Sequence, residues 1–344
     1  MQHHFGGFNA MGYAQARQSS KEAIPVVDIT PLRDGSDPSA VARQLHAASQ
    51  NLGFIYIRGH GIPMALIDEA RARAYQFFRA EEVQKKTLLV SDKHRGWLKP
   101  GASKMQDGVP ADLKESFIWG IEDDRGNTPD DHPLRGPNQW PSFVPELRPL
   151  SLDYFQHAHH VAMHLMRGFA LGLHLPENFF LSSCDVPMSR ASFVYYPAQP
   201  QSMGDQQFGV APHTDFGVLT VLCQDDNGGL QVQDINGDWI HAPPIEDTLV
   251  VNVGDLLSRW TDGEYKSTPH RVVNSSGRER LSLVLAFDPD PQTIIDARAV
   301  FGQQHKATEA PVSCGDYLIW RFAKAFSYRS QSTPQTGTVS NTGQ

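Results

Sequence analysis

From Arg190 onward the chain is broken into short apolar, β-branched runs by closely spaced turn signals: Asn227-Gly228-Gly229, Asn236-Gly237-Asp238, Asp262-Gly263 and Ser276-Gly277. Glycine supplies the positive φ that tight turns need, and Asn and Asp side chains bond their own backbone there. Short strands at this spacing predict an antiparallel double-sheet barrel.

The preceding residues have a different texture. Ile24 to Asp28 and Phe54 to Arg58 read as strands, and Lys114 to Gly120 as another. Asp37 or Ser36 followed by Pro38 starts a helix that ends near Gly53, and Met64 to Phe78 reads as an amphipathic helix. Leu152 to Leu173 carries the longest helical pattern, after a Pro- and Asp-rich stretch, 123–149, that reads as a surface loop. Gly315 to Phe326 reads as a final helix. The expected fold is therefore mixed α/β with a mainly β core. The expected divisions are a tail over 1–22, a largely helical portion over 23–185, the strand-rich core over 186–300, a covering segment over 301–330 and a second tail over 331–344.

Within the core, Pro212-His213-Thr214-Asp215-Phe216-Gly217 precedes the apolar run Val218 to Cys223. With 15 His and 38 acidic residues, chance alone gives about two His-x-acid triplets in such a chain, so the triplet proves little by itself. Its setting matters more. Alternate residues of a strand share a face, which would let His213 and Asp215 reach one ion together. A second imidazole, His270, follows Pro269, which holds Thr268 extended, and leads into Arg271-Val272-Val273. Two imidazoles and one carboxylate can cover one face of an octahedral Fe(II) and leave the opposite face open.

Ten residues beyond His270, Arg280 and Ser282 share one face of the strand Arg280 to Leu285. A guanidinium inside an apolar run wants an anionic partner, and its planar fork matches a carboxylate.

The order His-x-Asp, distal His, Arg-x-Ser resembles the iron(II)/2-oxoglutarate-dependent dioxygenases, specifically the isopenicillin N synthase-like branch. Asn227 to Val232, Val250 to Asp255, Tyr265 to Val272, Tyr195-Tyr196-Pro197, Ile24 to Asp28 and Gly53 to Ile62 fit the same family, so the similarity runs from about residue 24 to about 290. The resemblance implies a double-stranded β-helix, or jelly roll, with flanking helices. It implies Fe(II) on His213, Asp215 and His270, with 2-oxoglutarate as cosubstrate and dioxygen as oxidant. Arg280 and Ser282 would take the distal carboxylate of the cosubstrate, with Tyr196 adding a hydroxyl. The expected reaction is hydroxylation, desaturation or ring closure of a small molecule, with release of succinate and carbon dioxide. Trp97, Phe117, Phe216 and Ala286 are the expected pocket residues, and a C-terminal helix covers the pocket mouth in relatives. Two departures stand out: Val194 replaces an Asn common in plant relatives, and Ala286 stands where flavonoid-acting relatives carry a Phe.

Other readings remain open on the sequence. Isopenicillin N synthase and aminocyclopropanecarboxylate oxidase keep the Arg-x-Ser pair without using 2-oxoglutarate. A non-catalytic jelly-roll module would need no metal chemistry at all. A zinc hydrolase needs a base beside the metal, and none can be named. His160 and His164 could share a helical face, but Val161-Ala162-Met163 between them lacks the Glu of a His-Glu-x-x-His site. His60, between two glycines, reads as a turn residue. A formal charge of −8 with no Lys/Arg block argues against a nucleic-acid partner. No run reaches the ~20 apolar residues of a membrane span. The three cysteines read as reduced thiols, Met1 to Phe5 lacks the features of a secretory signal, and a cytoplasmic protein is expected.

Overall fold

A computed structural model describes residues 13–18, 23–105, 108, 110–200, 204, 206–326 and 328–329. Apart from 13–18, the expected tails over 1–22 and 331–344 lie outside the described residues. Residues 13–18 are tied to the barrel rather than free: Arg17 bridges to Ile240, and Arg271 donates to the Gln15 carbonyl at 2.7 Å.

Among the described residues, twelve strands form two large sheets, and Ile294–Ile295 pairs antiparallel with Val312–Ser313 as a separate ribbon. The twelve are β1 (Val26–Asp28), β2 (Phe54–Arg58), β3 (Gly96–Leu98), β4 (Glu115–Gly120), β5 (Arg190–Tyr196), β6 (Val210–His213), β7 (Leu219–Cys223), β8 (Leu230–Gln233), β9 (Trp239–His241), β10 (Leu249–Val253), β11 (His270–Val272) and β12 (Arg280–Phe287). The larger sheet runs β1-β2-β10-β7-β12-β5-β4-β3 and the smaller β6-β11-β8-β9. Every pairing is antiparallel except β1 with β2. The jelly roll is thus present. Strands from the N-terminal portion, β1 to β4, lengthen the same sheet that carries β5, β7, β10 and β12.

The helices are α1 (Thr30–Arg33), α2 (Pro38–Asn51), α3 (Met64–Phe78), α4 (Glu82–Lys86), α5 (Leu147–Gly172), α6 (Asp255–Trp260), α7 (Ala297–Phe301) and α8 (Cys314–Ala325). Local chemistry fixes their ends. Asp37 caps α2 by accepting from the Ala40 N–H at 3.0 Å, with Pro38 at the first helical position. Ser313 caps α8 through the Asp316 N–H at 3.1 Å. Helix α5 begins at Leu147, earlier than its apolar periodicity suggested, because Pro149 falls in a first turn that needs no N–H partner.

Strand β12 shows how the core divides. Leu281, Leu283, Leu285 and Phe287 join a cluster with Leu45 of α2, Phe77 of α3 and Leu165 and Phe169 of α5. The alternate residues Arg280, Ser282, Val284 and Ala286 face a cavity between the sheets. The larger sheet is therefore buried on both faces, by helices outside and by the smaller sheet inside. Phe54, Val194, Val210, Leu230, Val250 and Val272 form the apolar layer between the sheets. No helix of the described residues is long and apolar enough to cross a membrane.

Candidate metal centre

His213 ends β6 and His270 opens β11, and the two are direct register partners. Asp215 is not on the strand, as alternation had suggested, but in the turn between β6 and β7. That turn is pinned to the start of α6: the Asp255 N–H donates to the Asp215 carbonyl at 2.7 Å, and the Leu256 N–H to that of Gly217 at 3.0 Å. A Cβ at Gly254 would strike the Gly217 carbonyl, so only glycine permits this approach. Nε2 of His213 and of His270 each lie 3.7 Å from Asp215 Oδ1.

Among the described residues these three make up the one group of His, Cys, Asp or Glu placed to hold an ion, their ligand atoms all within 4.8 Å of one another. The pair His160/His164 on α5 forms no such group. His60 instead accepts from the Ile62 N–H at 3.1 Å, as a turn residue would.

Partners outside the triad orient it. His213 Nδ1 lies 2.8 Å from the Ala211 carbonyl and His270 Nδ1 lies 3.2 Å from that of Thr268. A carbonyl only accepts, so each Nδ1 carries the proton and each Nε2 presents its lone pair to the centre. Asp215 Oδ2 accepts from Thr220 Oγ1 at 2.6 Å and from Asn252 Nδ2 at 2.7 Å. Burial would raise the Asp215 carboxyl, but the two imidazoles and these two donors outweigh it and hold it below the usual carboxylate range. Burial, with the neighbouring imidazole, pushes His213 well below the ordinary histidine value. Two imidazole nitrogens and one carboxylate make a donor set suited to a divalent iron-like cation.

A second polar group stands in the same cavity, which holds about 190 Å³. Arg280 is 1% exposed. Its Nε donates to the Gly228 carbonyl, and its guanidinium carbon lies 4.7 Å from the centroid of the Tyr196 ring. Its Nη1, and Oγ of Ser282, are buried with no hydrogen-bond partner among the described residues. Burying such groups unpaired costs on the order of 1–3 kcal/mol each, so the pair marks a slot built for an acceptor. Burial raises the Tyr196 hydroxyl, which therefore stays protonated and able to donate. A buried guanidinium and a hydroxyl donor in the cavity that also holds the triad are the donor types that a small dicarboxylate needs.

His213, Asp215, His270, Arg280, Ser282, Tyr196, Phe216 and Ala286 all line this cavity. Trp97 and Phe117 do not, which corrects the expectation for both. Trp97 donates Nε1 to Glu115 Oε2 at 2.7 Å, beside the buried pair Lys85–Glu115 at 2.8 Å. Phe117 packs on Phe77 at 4.8 Å between ring centroids. Their strand neighbours Leu98, Ser116 and Ile118 face the cavity instead. Phe322 and Phe326, at the end of α8, also line it. Three positioning residues were not singled out from the sequence: Thr220, Asn252 and Asp288, the last accepting from the Val218 N–H at 2.9 Å and from Arg190 at 2.7 Å. The one available signal was Val250 to Asp255, which matched the family without revealing a role for Asn252.

Comparison with known proteins gives a consistent picture. A family model described as the N-terminal part of a non-haem dioxygenase in morphine synthesis matches residues 24–143, and that of the 2OG-Fe(II) oxygenase superfamily matches 188–289. A 2-oxoglutarate-Fe(II) type oxidoreductase of Metarhizium rileyi is 33% identical over 336 residues, covering 90% of this chain and 89% of its own. A homoarginine-6-hydroxylase of Glycine max is 33% identical over 296 residues, covering 80% of this chain and 88% of its own. A full-length Neurospora crassa protein, crystallised in complex with alpha-KG, superposes with a TM-score of 0.78 at 28% identity, covering 90% of this chain and 100% of the other. A further structure of that protein holds alpha-KG and thymine.

Proposed function

The chain belongs to the 2OG-Fe(II) oxygenase superfamily, and on that premise we propose that His213, Asp215 and His270 hold its iron while Arg280, Ser282 and Tyr196 receive the distal carboxylate of 2-oxoglutarate. Proteins of this family are Fe(II)- and 2-oxoglutarate-dependent oxygenases of small molecules. The observation that carries the residue assignment is the pair of buried, unpartnered donors, Arg280 Nη1 and Ser282 Oγ, on the wall of the cavity that holds the triad. An oxidase that dispensed with the cosubstrate would have to fill that slot by other means.

When bound, iron, 2-oxoglutarate and dioxygen together supply the oxidising chemistry that hydroxylates a C–H bond and releases succinate and carbon dioxide. The chain's own contribution is positioning and exclusion of water. Thr220 and Asn252 fix the Asp215 carboxylate, and the carbonyls of Ala211 and Thr268 fix the imidazole tautomers. Ala286, Phe216, Phe322 and Ile118 shape the apolar part of the cavity, where the substrate C–H would lie. The substrate is a small molecule, in keeping with the thymine bound by one relative and the homoarginine in the name of another. Three cysteines without a disulfide suit a reducing compartment, so a cytoplasmic location is part of this reading.

Succinate release with Fe(II), 2-oxoglutarate, dioxygen and a panel of small molecules tests the assignment. At least one panel member should raise succinate formation, and Asp215→Ala should abolish it. Turnover that persists in Asp215→Ala would overturn it.

A further inference from the structure

Among the described residues, the cavity wall carries one cation, Lys114, that neither the reaction as described nor a protein carboxylate engages within 4.0 Å. Lys114 precedes β4 by one residue and lies on the same face as Ser116 and Ile118, all three lining the cavity. The other charged lining residues are accounted for. Asp215 belongs to the triad, Arg280 lies at the proposed cosubstrate slot, and Arg190 is paired with the fully buried Asp288 at 2.7 Å. The Lys114 ammonium makes no hydrogen bond and no ion pair within 4.0 Å among the described residues. The carboxylate of Asp112, two residues away in sequence, accepts from the Ala211 N–H at 3.0 Å and from Ser103 Oγ at 2.9 Å, and it does not line the cavity. Burial pulls the Lys114 pKa down, with Asp112 and Asp215 opposing.

Lys114 is half-buried, and an ammonium that lines a cavity with no protein anion bonded to it is a ready partner for an anionic ligand. Lys114 and the triad line the same cavity, so a group held by Lys114 would share that cavity with the reacting centre. The hydroxyls of Ser116 and Ser192, on neighbouring strands of the same wall, make no side-chain hydrogen bond among the described residues and add further donors. The apolar remainder, from Leu98, Ile118, Val284 and Phe322, suits a compact hydrocarbon body. We propose that Lys114 anchors a carboxylate on the substrate, so that the enzyme acts on small organic acids and Lys114 is a specificity-determining residue. This proposal rests on the reading of the triad and Arg280 given above.

The test is binding, not turnover. The protein is loaded anaerobically with Fe(II) and 2-oxoglutarate and titrated by calorimetry with matched pairs: phenylacetate against phenylacetamide, and hexanoate against hexanamide. A charge-assisted bond to Lys114 should make at least one acid bind about ten- to a hundredfold tighter than its amide. That preference should fall to within about twofold in Lys114→Gln and recover in part in Lys114→Arg. Unchanged urea unfolding and Fe(II) affinity show that the variants are folded, and a second variant, Lys114→Met, repeats the measurement without a polar side chain. Equal binding of acids and amides by the wild type overturns the proposal, as does an acid preference that survives in Lys114→Gln. So does a loss of 2-oxoglutarate affinity on changing Lys114, because the ammonium would then serve the cosubstrate. A wild-type protein that binds no 2-oxoglutarate at all contradicts the assignment of Arg280 and Ser282 instead.

Discussion

His213 and His270 are opposed across adjacent strands, their ring centroids 4.3 Å apart, each imidazole anchored at Nδ1 by a backbone carbonyl two residues upstream. Neither ring can turn away without breaking that bond or shifting β6 against β11. The centre is therefore organised before any ion arrives, which is what a precise ligand set requires of its supports.

Thr220 and Asn252 should control metal affinity without touching the metal. Both donate to Asp215 Oδ2 and leave Oδ1 toward the imidazoles. Thr220→Val keeps the shape and removes one donor, and Asn252→Ala removes the other. Each should weaken Fe(II) binding about 10–100-fold, read by anaerobic titration. Unchanged affinity in both would show that Asp215 is held by packing alone.

Arg280→Ala should raise the 2-oxoglutarate dissociation constant by roughly ten- to a hundredfold, the worth of a charge-assisted bond of about 1.5–3 kcal/mol. Ser282→Ala should cost less, because a neutral hydroxyl contributes only about 0.5–1.5 kcal/mol. Iron affinity measured without cosubstrate should change little in either variant. An equal loss of iron binding would mean that Arg280 organises the barrel rather than the slot.

A histidine away from the centre sets part of the acid stability. His159 of α5 packs against Phe155 and Phe287, its Nε2 without a partner, and burial pushes its pKa down to about 4. Below the ordinary value of about 6.5 the unfolded chain takes a proton that the folded chain refuses. Its effect on stability is therefore absent above that value, grows as pH falls toward 4, and then levels off. His159→Phe should lose less stability than the wild type between pH 7.5 and pH 5 in urea unfolding. Parallel curves for the two proteins would show that His159 does not titrate differently in the two states.

The sequence made the centre legible because its residues come in spaced motifs: His213-x-Asp215, then His270, then Arg280-x-Ser282. The pocket wall was less legible, and β4 shows why. All six of its residues are buried, since helices cover one face and the smaller sheet the other. An apolar strand buried on both faces carries no alternation to say which side is inward. Phe117 therefore could not be told from Ile118, and the same one-residue ambiguity misplaced Trp97 relative to Leu98. Asn252 and Lys114 escaped for a related reason. Each works through the place its strand takes in the sheet, which is set by pairings between residues far apart in the chain.

One ferrous ion and one 2-oxoglutarate are expected to meet at His213, Asp215 and His270. Anaerobic addition of Fe(II) and then 2-oxoglutarate, followed in the visible spectrum, observes that meeting directly. We expect a weak charge-transfer band that saturates at one equivalent of each per chain, is missing from Asp215→Ala, and needs more 2-oxoglutarate in Arg280→Ala. A wild-type protein that shows no such band, or a band that persists undiminished in Asp215→Ala, would contradict it.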